Sequence, residues 1–160
     1  VTNTEELGLM TFHADCIPVF FADTNKKIVG LVHSGWGGTL EGIAVEMIDL
    51  MRKAYDSRIE DIIVGIGPGI GSCCYEVGEE LYNQFINKDK KYDRFFEKKS
   101  TKYLLDLKGL IQYDLMNKGI LEKNIEVSDL CTKCNMDLFF SHRGQGLKRG
   151  GMAAIIKKVR

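Results

Sequence analysis

Two short apolar runs, Ile17-Pro18-Val19-Phe20-Phe21 and Ile28-Val29-Gly30-Leu31-Val32, stand either side of the polar stretch Asp23-Thr24-Asn25-Lys26-Lys27. Runs of this length, rich in β-branched and aromatic residues and separated by turn formers, pair as a hairpin. Directly afterwards Leu40, Ile43, Ala44, Met47, Ile48 and Met51 recur at helical spacing, with Thr39 as the expected N-cap. A helix with one apolar stripe has to lay that stripe on the hairpin. Ile62-Ile63-Val64-Gly65-Ile66 reads as a buried strand running into the loop Gly67-Pro68-Gly69-Ile70-Gly71. Leu81, Tyr82, Phe85 and Ile86 mark a second short helix, and residues 88–102, rich in Lys, Asp and Glu, read as an exposed excursion. Asp106 caps a third helix through Leu107, Leu110, Ile111 and Leu115, closed by Gly119. Residues 125–127, 138–140 and 152–156 are further strand candidates. The alternation predicts an α/β sandwich, a mixed β-sheet flanked by helices, because one connection is a hairpin.

The length, 160 residues, suits one domain with one core. Lys plus Arg and Asp plus Glu both number 22, so the formal charge is zero and no global field gathers nucleic acid or an anionic membrane. No apolar run is long enough to cross a bilayer, and no signal sequence opens the chain, so a cytoplasmic address is expected. Val1-Thr2-Asn3 lacks an initiator Met and reads as the continuation of something upstream. Five cysteines without framework-like spacing argue against a secreted disulfide scaffold. Packing, metal binding and catalysis remain for them.

The first chemical constellation is Phe12-His13-Ala14-Asp15-Cys16 with His33-Ser34-Gly35-Trp36. Cys16 just precedes the first hairpin strand and His33 just follows the second, and antiparallel pairing brings those ends together. A thiolate and an imidazole at one place suit zinc, which takes S and N ligands and, in a catalytic site, keeps one position open. Taken singly, Cys16 also fits a small buried hydrophobe and His33 a hydrogen-bonded core histidine; together they would also fit a Cys–His nucleophile pair. Asp15 is placed to orient a ligand or to act as a base. His13 is a polar strand end or a substrate contact.

Three weaker signals follow. The loop around Gly69 presents backbone N–H groups to an anion or simply satisfies tight geometry; it lacks the Lys and Ser/Thr of a P-loop. Cys131-Thr132-Lys133-Cys134 is half of a zinc ribbon with no second half, so these cysteines read as incidental. Ser141-His142-Arg143, with Lys148-Arg149-Gly150-Gly151 beyond, suits phosphate through an Arg fork or an ordinary solvated loop.

Taken together, Ala14-Asp15-Cys16-Ile17-Pro18-Val19, His33-Ser34-Gly35-Trp36, Gly67-Pro68-Gly69-Ile70-Gly71 through Tyr75-Glu76-Val77, and Phe139-Phe140-Ser141-His142-Arg143 resemble the laccase-domain (YfiH) family of purine nucleoside phosphorylases. Its members were long catalogued as polyphenol oxidases. The resemblance spans nearly the whole chain and implies a single laccase-like domain over 1–160, N-terminally incomplete. It implies one zinc held by Cys16, His33 and a further histidine from a Val-His-Gly type motif ahead of Val1. It also implies phosphorolysis of adenosine, inosine and guanosine to base and ribose-1-phosphate, with adenosine deamination and methylthioadenosine cleavage associated. Cys16, His33 and Asp15 are then the catalytic candidates, and His13, Gly69, His142 and Arg143 the substrate-binding ones. The implied partners are purine nucleosides and phosphate, without nucleic acid or membrane, in a monomer or weak homo-oligomer. Two departures from the family pattern are Gly37, where a basic residue is usual, and Arg149-Gly150-Gly151-Met152 in place of Thr-Gly-Arg-Met. Competing readings are a copper-dependent polyphenol oxidase, for which three histidines are too few, and a degenerate non-catalytic metal-binding module.

Overall fold

The computed structural model describes residues 1–159. At its centre β2 (Ile17–Asp23) and β3 (Ile28–Ser34) form the expected antiparallel hairpin, with Ile17 opposite Ser34 and Asp23 opposite Ile28. The turn has a local cause. Asp23 Oδ1 accepts the backbone N–H groups of Asn25 and Lys26 at 3.0 and 2.9 Å, a side-chain substitute for a backbone turn.

Strand β4 (Ile62–Ile66) adds antiparallel to β2 and parallel to β8 (Ile125–Val127), giving a mixed four-stranded sheet of order β3-β2-β4-β8. Helices α2 (Ile43–Tyr55) and α4 (Leu107–Lys118) pack on it and on each other. Val19, Phe21, Ile48, Met51, Ile62, Ile66, Leu110 and Leu115 are essentially without solvent contact there. Each fully buried aliphatic or aromatic side chain contributes roughly 1.5–3 kcal/mol, so this layer dominates the stability. Asp106 caps α4 as expected, accepting the Gly109 N–H at 3.0 Å, and Gly119 closes it in the left-handed region at φ 110°.

Four expectations need correction, three in the backbone. Thr39 is not a helix cap. It lies inside a separate short helix, α1 (Trp36–Glu41), where its hydroxyl bonds Ser34 Oγ at 2.8 Å. Gly42, at φ 83°, ends α1 and starts α2, so the apolar spacing from Leu40 to Met51 runs across two helices. Residues 88–102 are not an excursion. After α3 (Glu79–Lys88) they form a 3-10 turn, then β6 (Phe96–Lys99) and β7 (Lys102–Leu105), in a three-stranded sheet with β5 (Glu76–Val77). Tyr92, Tyr103 and Phe85 are buried beneath it, and the Tyr82 and Tyr103 rings stack at 4.1 Å. The charges of this segment cover an aromatic core and masked it. Residues 138–140 are a turn closed by the Leu138 and Phe139 N–H groups on the Asn135 carbonyl, not a strand.

The last element joins the ends of the sequence: β1 (Gly8–His13) pairs antiparallel with β9 (Met152–Lys157), His13 opposite Met152. Among the described residues no helix is long and apolar enough to cross a membrane.

Candidate active site

Chain segments from three places meet at the open end of the hairpin. His33 is the penultimate residue of β3, opposite Pro18, one position further inside the strand than the sequence suggests. Cys16 lies one residue ahead of β2, and the two-residue strand period puts Cys16, Pro18 and His33 on one face. A Cβ placed on Gly35 would lie 2.9 Å from Cys16 Sγ, so the thiol rests against the chain leaving β3. Cys16 and His33 line one cavity of about 460 Å³ together with Phe12, His13 and Arg149.

The hydrogen bonds assign the tautomers. His33 Nδ1 faces the Phe12 carbonyl at 2.9 Å, which can only accept, so Nδ1 carries the proton and the Nε2 lone pair is left. This is how protein backbones orient metal-ligating imidazoles. His13 is different. Its Nδ1 donates to the Cys16 carbonyl at 3.1 Å, and Nε2 accepts the Thr11 hydroxyl at 2.6 Å. Both its nitrogens are therefore engaged within the chain. Its buried ring stacks on His33 at 4.6 Å, and burial, with the neighbouring His33 charge, holds its pKa below the usual imidazole value. His13 thus props the Cys16 bend and the face of His33.

Burial first, and Asp15 second, push the Cys16 thiol above its ordinary pKa. Unassisted, it is a poor thiolate nucleophile at neutral pH, whereas a cation beside it would favour ionisation. The donor set fits zinc on the side this chain supplies: one sulfur and one correctly oriented imidazole nitrogen.

Asp15 is buried and fully bonded. Oδ1 accepts the Thr132 hydroxyl at 2.6 Å and Oδ2 the Arg143 backbone N–H at 2.8 Å. It ties the hairpin to two late segments. The second of these is the short helix α5 (His142–Gln145), capped by Ser141 Oγ on the Gly144 N–H at 3.0 Å. His142 and Arg143 there join Asp15, Cys16, Trp36 and Tyr75 around a second cavity of about 270 Å³. Arg143 donates to the Glu76 carbonyl at 2.6 Å, and its guanidinium lies 5.0 Å from the centre of the Tyr75 ring. Desolvation pushes the Tyr75 hydroxyl up to about 12, so it stays a phenol. Cys16 and Ala14 line both cavities.

Gly69 sits outside those walls. A Cβ there would lie 2.3 Å from Ile17 Cδ1 and 2.9 Å from the Asp15 carbonyl, so its place is a close approach of two backbones. Trp36, Tyr75 and Arg149, which the sequence analysis named only as members of motifs, also line the cavities, and Arg149 Nε donates to the Ala14 carbonyl at 3.1 Å. Trp36 and Tyr75 stood in quoted motifs but carry no local sign of which way they face. The fourth correction concerns the cysteines read as incidental. Cys131 and Cys134 meet Cys73 and Cys74, all four sulfurs within 4.8 Å of one another, the one such group of three or more candidate ligands among the described residues.

Comparison with known proteins agrees with this architecture. The family described as "Multi-copper polyphenol oxidoreductase laccase" matches residues 1–158. A mouse protein named purine nucleoside phosphorylase LACC1 is 39% identical over 98% of this chain, and the match covers 37% of the mouse protein. Purine nucleoside phosphorylase YlmD of Bacillus subtilis is 36% identical over 97% of the chain, which covers 56% of that protein. The crystal structure of Bacillus licheniformis YfiH superposes with a TM-score of 0.93 at 39% identity, covering 99% of this chain and 60% of that one. The chain thus spans about a third to three fifths of the length of these relatives. With the family matched over residues 1–158, a relative 39% identical over 98% of the chain and a fold shared at a TM-score of 0.93, the chain belongs to the laccase-domain family, described as multi-copper polyphenol oxidoreductase laccase.

Proposed function

We propose that this chain carries the larger part of the active site of a zinc-dependent purine nucleoside phosphorylase. One observation carries the reading: Cys16 lines both cavities and shares one of them with His33, whose Nδ1 is bonded to the Phe12 carbonyl so that its Nε2 lone pair is left. The names of the mouse and Bacillus subtilis relatives point to the same reaction. Cys16 Sγ and His33 Nε2 would hold the metal, with the remaining protein position that of the histidine the family resemblance places ahead of this sequence. Bound zinc would supply a Lewis acid and a lowered pKa for coordinated water.

The other residues bind and orient. Phosphate, the attacking group, needs a cationic site, and Arg143 offers the donors its bond to Glu76 leaves over, steadied by the Tyr75 ring. His142 stands beside it on the same cavity wall. Trp36, exposed and lining the same cavity, offers a flat apolar face for a purine. Asp15 holds Arg143 and the segment around Thr132 in place rather than meeting substrate, since both its oxygens are bonded internally. In the reaction the glycosidic C–N bond breaks, a phosphate oxygen bonds the ribose C1, and the base leaves with the bonding pair and a proton. Deamination of adenosine and cleavage of methylthioadenosine belong to the same reading, in a cytoplasmic protein. Copper-dependent phenol oxidation fits less well: of three histidines, His13 has both nitrogens occupied.

The test is to incubate the full-length protein with adenosine or inosine and phosphate, and to follow base, ribose-1-phosphate and ammonia separately. Ribose-1-phosphate in step with base supports phosphorolysis. Bound stoichiometric copper with phenol oxidation would replace it, and no turnover at all would leave a metal-binding module.

A further inference from the structure

The cysteines outside the active site are drawn from two distant segments. Cys73 and Cys74 close the Gly-rich loop after β4, and Cys134, 61 and 60 positions further along, faces both of them beside Cys131. Three backbone features force the meeting. Gly69 bridges Cys131 in parallel register, the Thr132 N–H donates to the Gly69 carbonyl at 3.1 Å, and Gly71 approaches so closely that a Cβ would lie 3.1 Å from Cys131 Cβ. Asn135 then folds the chain back by bonding the Cys131 carbonyl through both its backbone N–H, at 3.1 Å, and its side-chain Nδ2, at 2.8 Å. That turn returns Cys134 to the group.

We propose that Cys73, Cys74, Cys131 and Cys134 form a tetrathiolate site for a structural metal ion of the zinc class, separate from the Cys16–His33 corner. Zinc–sulfur bonds of about 2.3 Å in a tetrahedron separate the sulfurs by about 3.8 Å. Cys134 Sγ already lies 3.5 Å from both Cys73 Sγ and Cys74 Sγ, and no pair exceeds 4.8 Å. Closure on an ion needs shifts below about an ångström. A disulfide, with sulfurs about 2.05 Å apart, would use Cys134 and one of two equally distant partners and leave two thiols over. Four converging sulfurs answer a tetrahedral ion better.

The surroundings match. Cys131 Sγ accepts the Gly71 N–H at 3.2 Å and a backbone hydrogen bond from Cys134, the outer contacts that steady a metal-bound sulfur. A dianionic centre of four thiolates and a divalent ion also wants a nearby cation. Lys108, buried on α4, bonds the Ser128 and Leu130 carbonyls just ahead of Cys131. On binding, each thiol passes its proton to solvent as its sulfur takes the metal, and nothing is oxidised. The ion would lock the Gly-rich loop to Thr132, the residue that holds Asp15. This inference does not rest on the phosphorylase reading.

The test uses the full chain, purified under reducing conditions, with Cys16→Ala and His33→Ala combined to silence the active-site corner. We expect that double variant to retain one equivalent of zinc. Cobalt in its place should give the intense red-region bands and near-ultraviolet charge transfer of a tetrathiolate. X-ray absorption should show four sulfurs at about 2.3 Å. Cys134→Ser and, separately, Cys73→Ser change exposed side chains that the core does not need. Each should weaken cobalt binding by more than the roughly 100-fold that even an outer partner's loss can cost. The proposal is overturned if the double variant holds no metal, if fewer than four sulfurs surround it, if Cys134→Ser and Cys73→Ser both bind normally, or if mass spectrometry finds a disulfide among the four.

Discussion

The chain has two sulfur-bearing corners built in opposite ways. At the first, Cys16 and His33 come together through a single hairpin whose turn, strand length and register are all local. At the second, four cysteines meet only because the loop after β4 and the segment after β8 run side by side. The first presents a sulfur and an imidazole at an opening to two cavities; the second presents four sulfurs that could hold an ion with no position left over. A corner made of short-range pairing leaves open cavities beside it. A corner saturated with sulfur holds two parts of the chain together, and the link between the corners is Asp15, bonded to Thr132 from within the Cys131–Cys134 stretch.

That contrast is open to experiment. The largest effect is expected from Cys16→Ala, which removes the sulfur proposed as a metal ligand at the open corner. Turnover of the full-length protein should fall by at least about 100-fold, since losing even an outer partner costs 10–100-fold, while zinc at the cysteine cluster stays. Near-normal turnover in single-turnover assays would reject the assignment of Cys16.

Gly69→Ala probes the seam between the corners. Its Cβ would meet Ile17 and the Asp15 carbonyl at impossible distances, so the backbones must part. Unfolding by denaturant should show a loss of about 1–3 kcal/mol, the usual cost of overpacking. An unaltered midpoint would mean the two backbones are not pressed together there.

Arg143→Lys replaces a fork with a point charge while keeping the backbone N–H that binds Asp15. The KM for phosphate should rise about tenfold, the scale of one bidentate bond or ~1.4 kcal/mol, with the nucleoside KM little changed. A rise in the nucleoside KM alone would move phosphate elsewhere in the cavity.

The smallest effect lies away from both corners and gives a baseline. Burial, outweighing the hydrogen bond from Tyr92, raises the Asp114 carboxyl from 3.8 to about 6. Between those values the folded protein keeps a proton that the unfolded chain has lost, so stability drops as pH rises through the window and stays reduced above it. Asp114→Asn should therefore stabilise the protein at pH 7, by less than about 1 kcal/mol once solvent screening is allowed for, and do little at pH 4. Thermal melts at the two pH values decide it; equal shifts at both would show that the carboxylate is not strained at neutral pH.

Much of the architecture is readable without coordinates because it depends on short-range rules. The hairpin follows from two apolar runs around Asp23, and α4 follows from its cap at Asp106 and its glycine stop at Gly119. The Cys16–His33 proximity follows from the hairpin alone. The small sheet over residues 96–105 was hidden because its exposed charges outnumber its buried aromatics, and burial is a property of what lies on top. Likewise the periodicity around Thr39 gave no sign that Gly42 divides two helices.

Local pattern thus carries the strands, the main helices and the Cys16–His33 corner, since hydrogen bonds and apolar periodicity act within a few residues. Long-range closure belongs to packing: His13 against His33, Arg143 on Asp15, and above all the gathering of Cys73, Cys74, Cys131 and Cys134. No spacing encodes those meetings, because they depend on how β4 and β8 lie parallel in the finished sheet and deliver their following loops to the same edge.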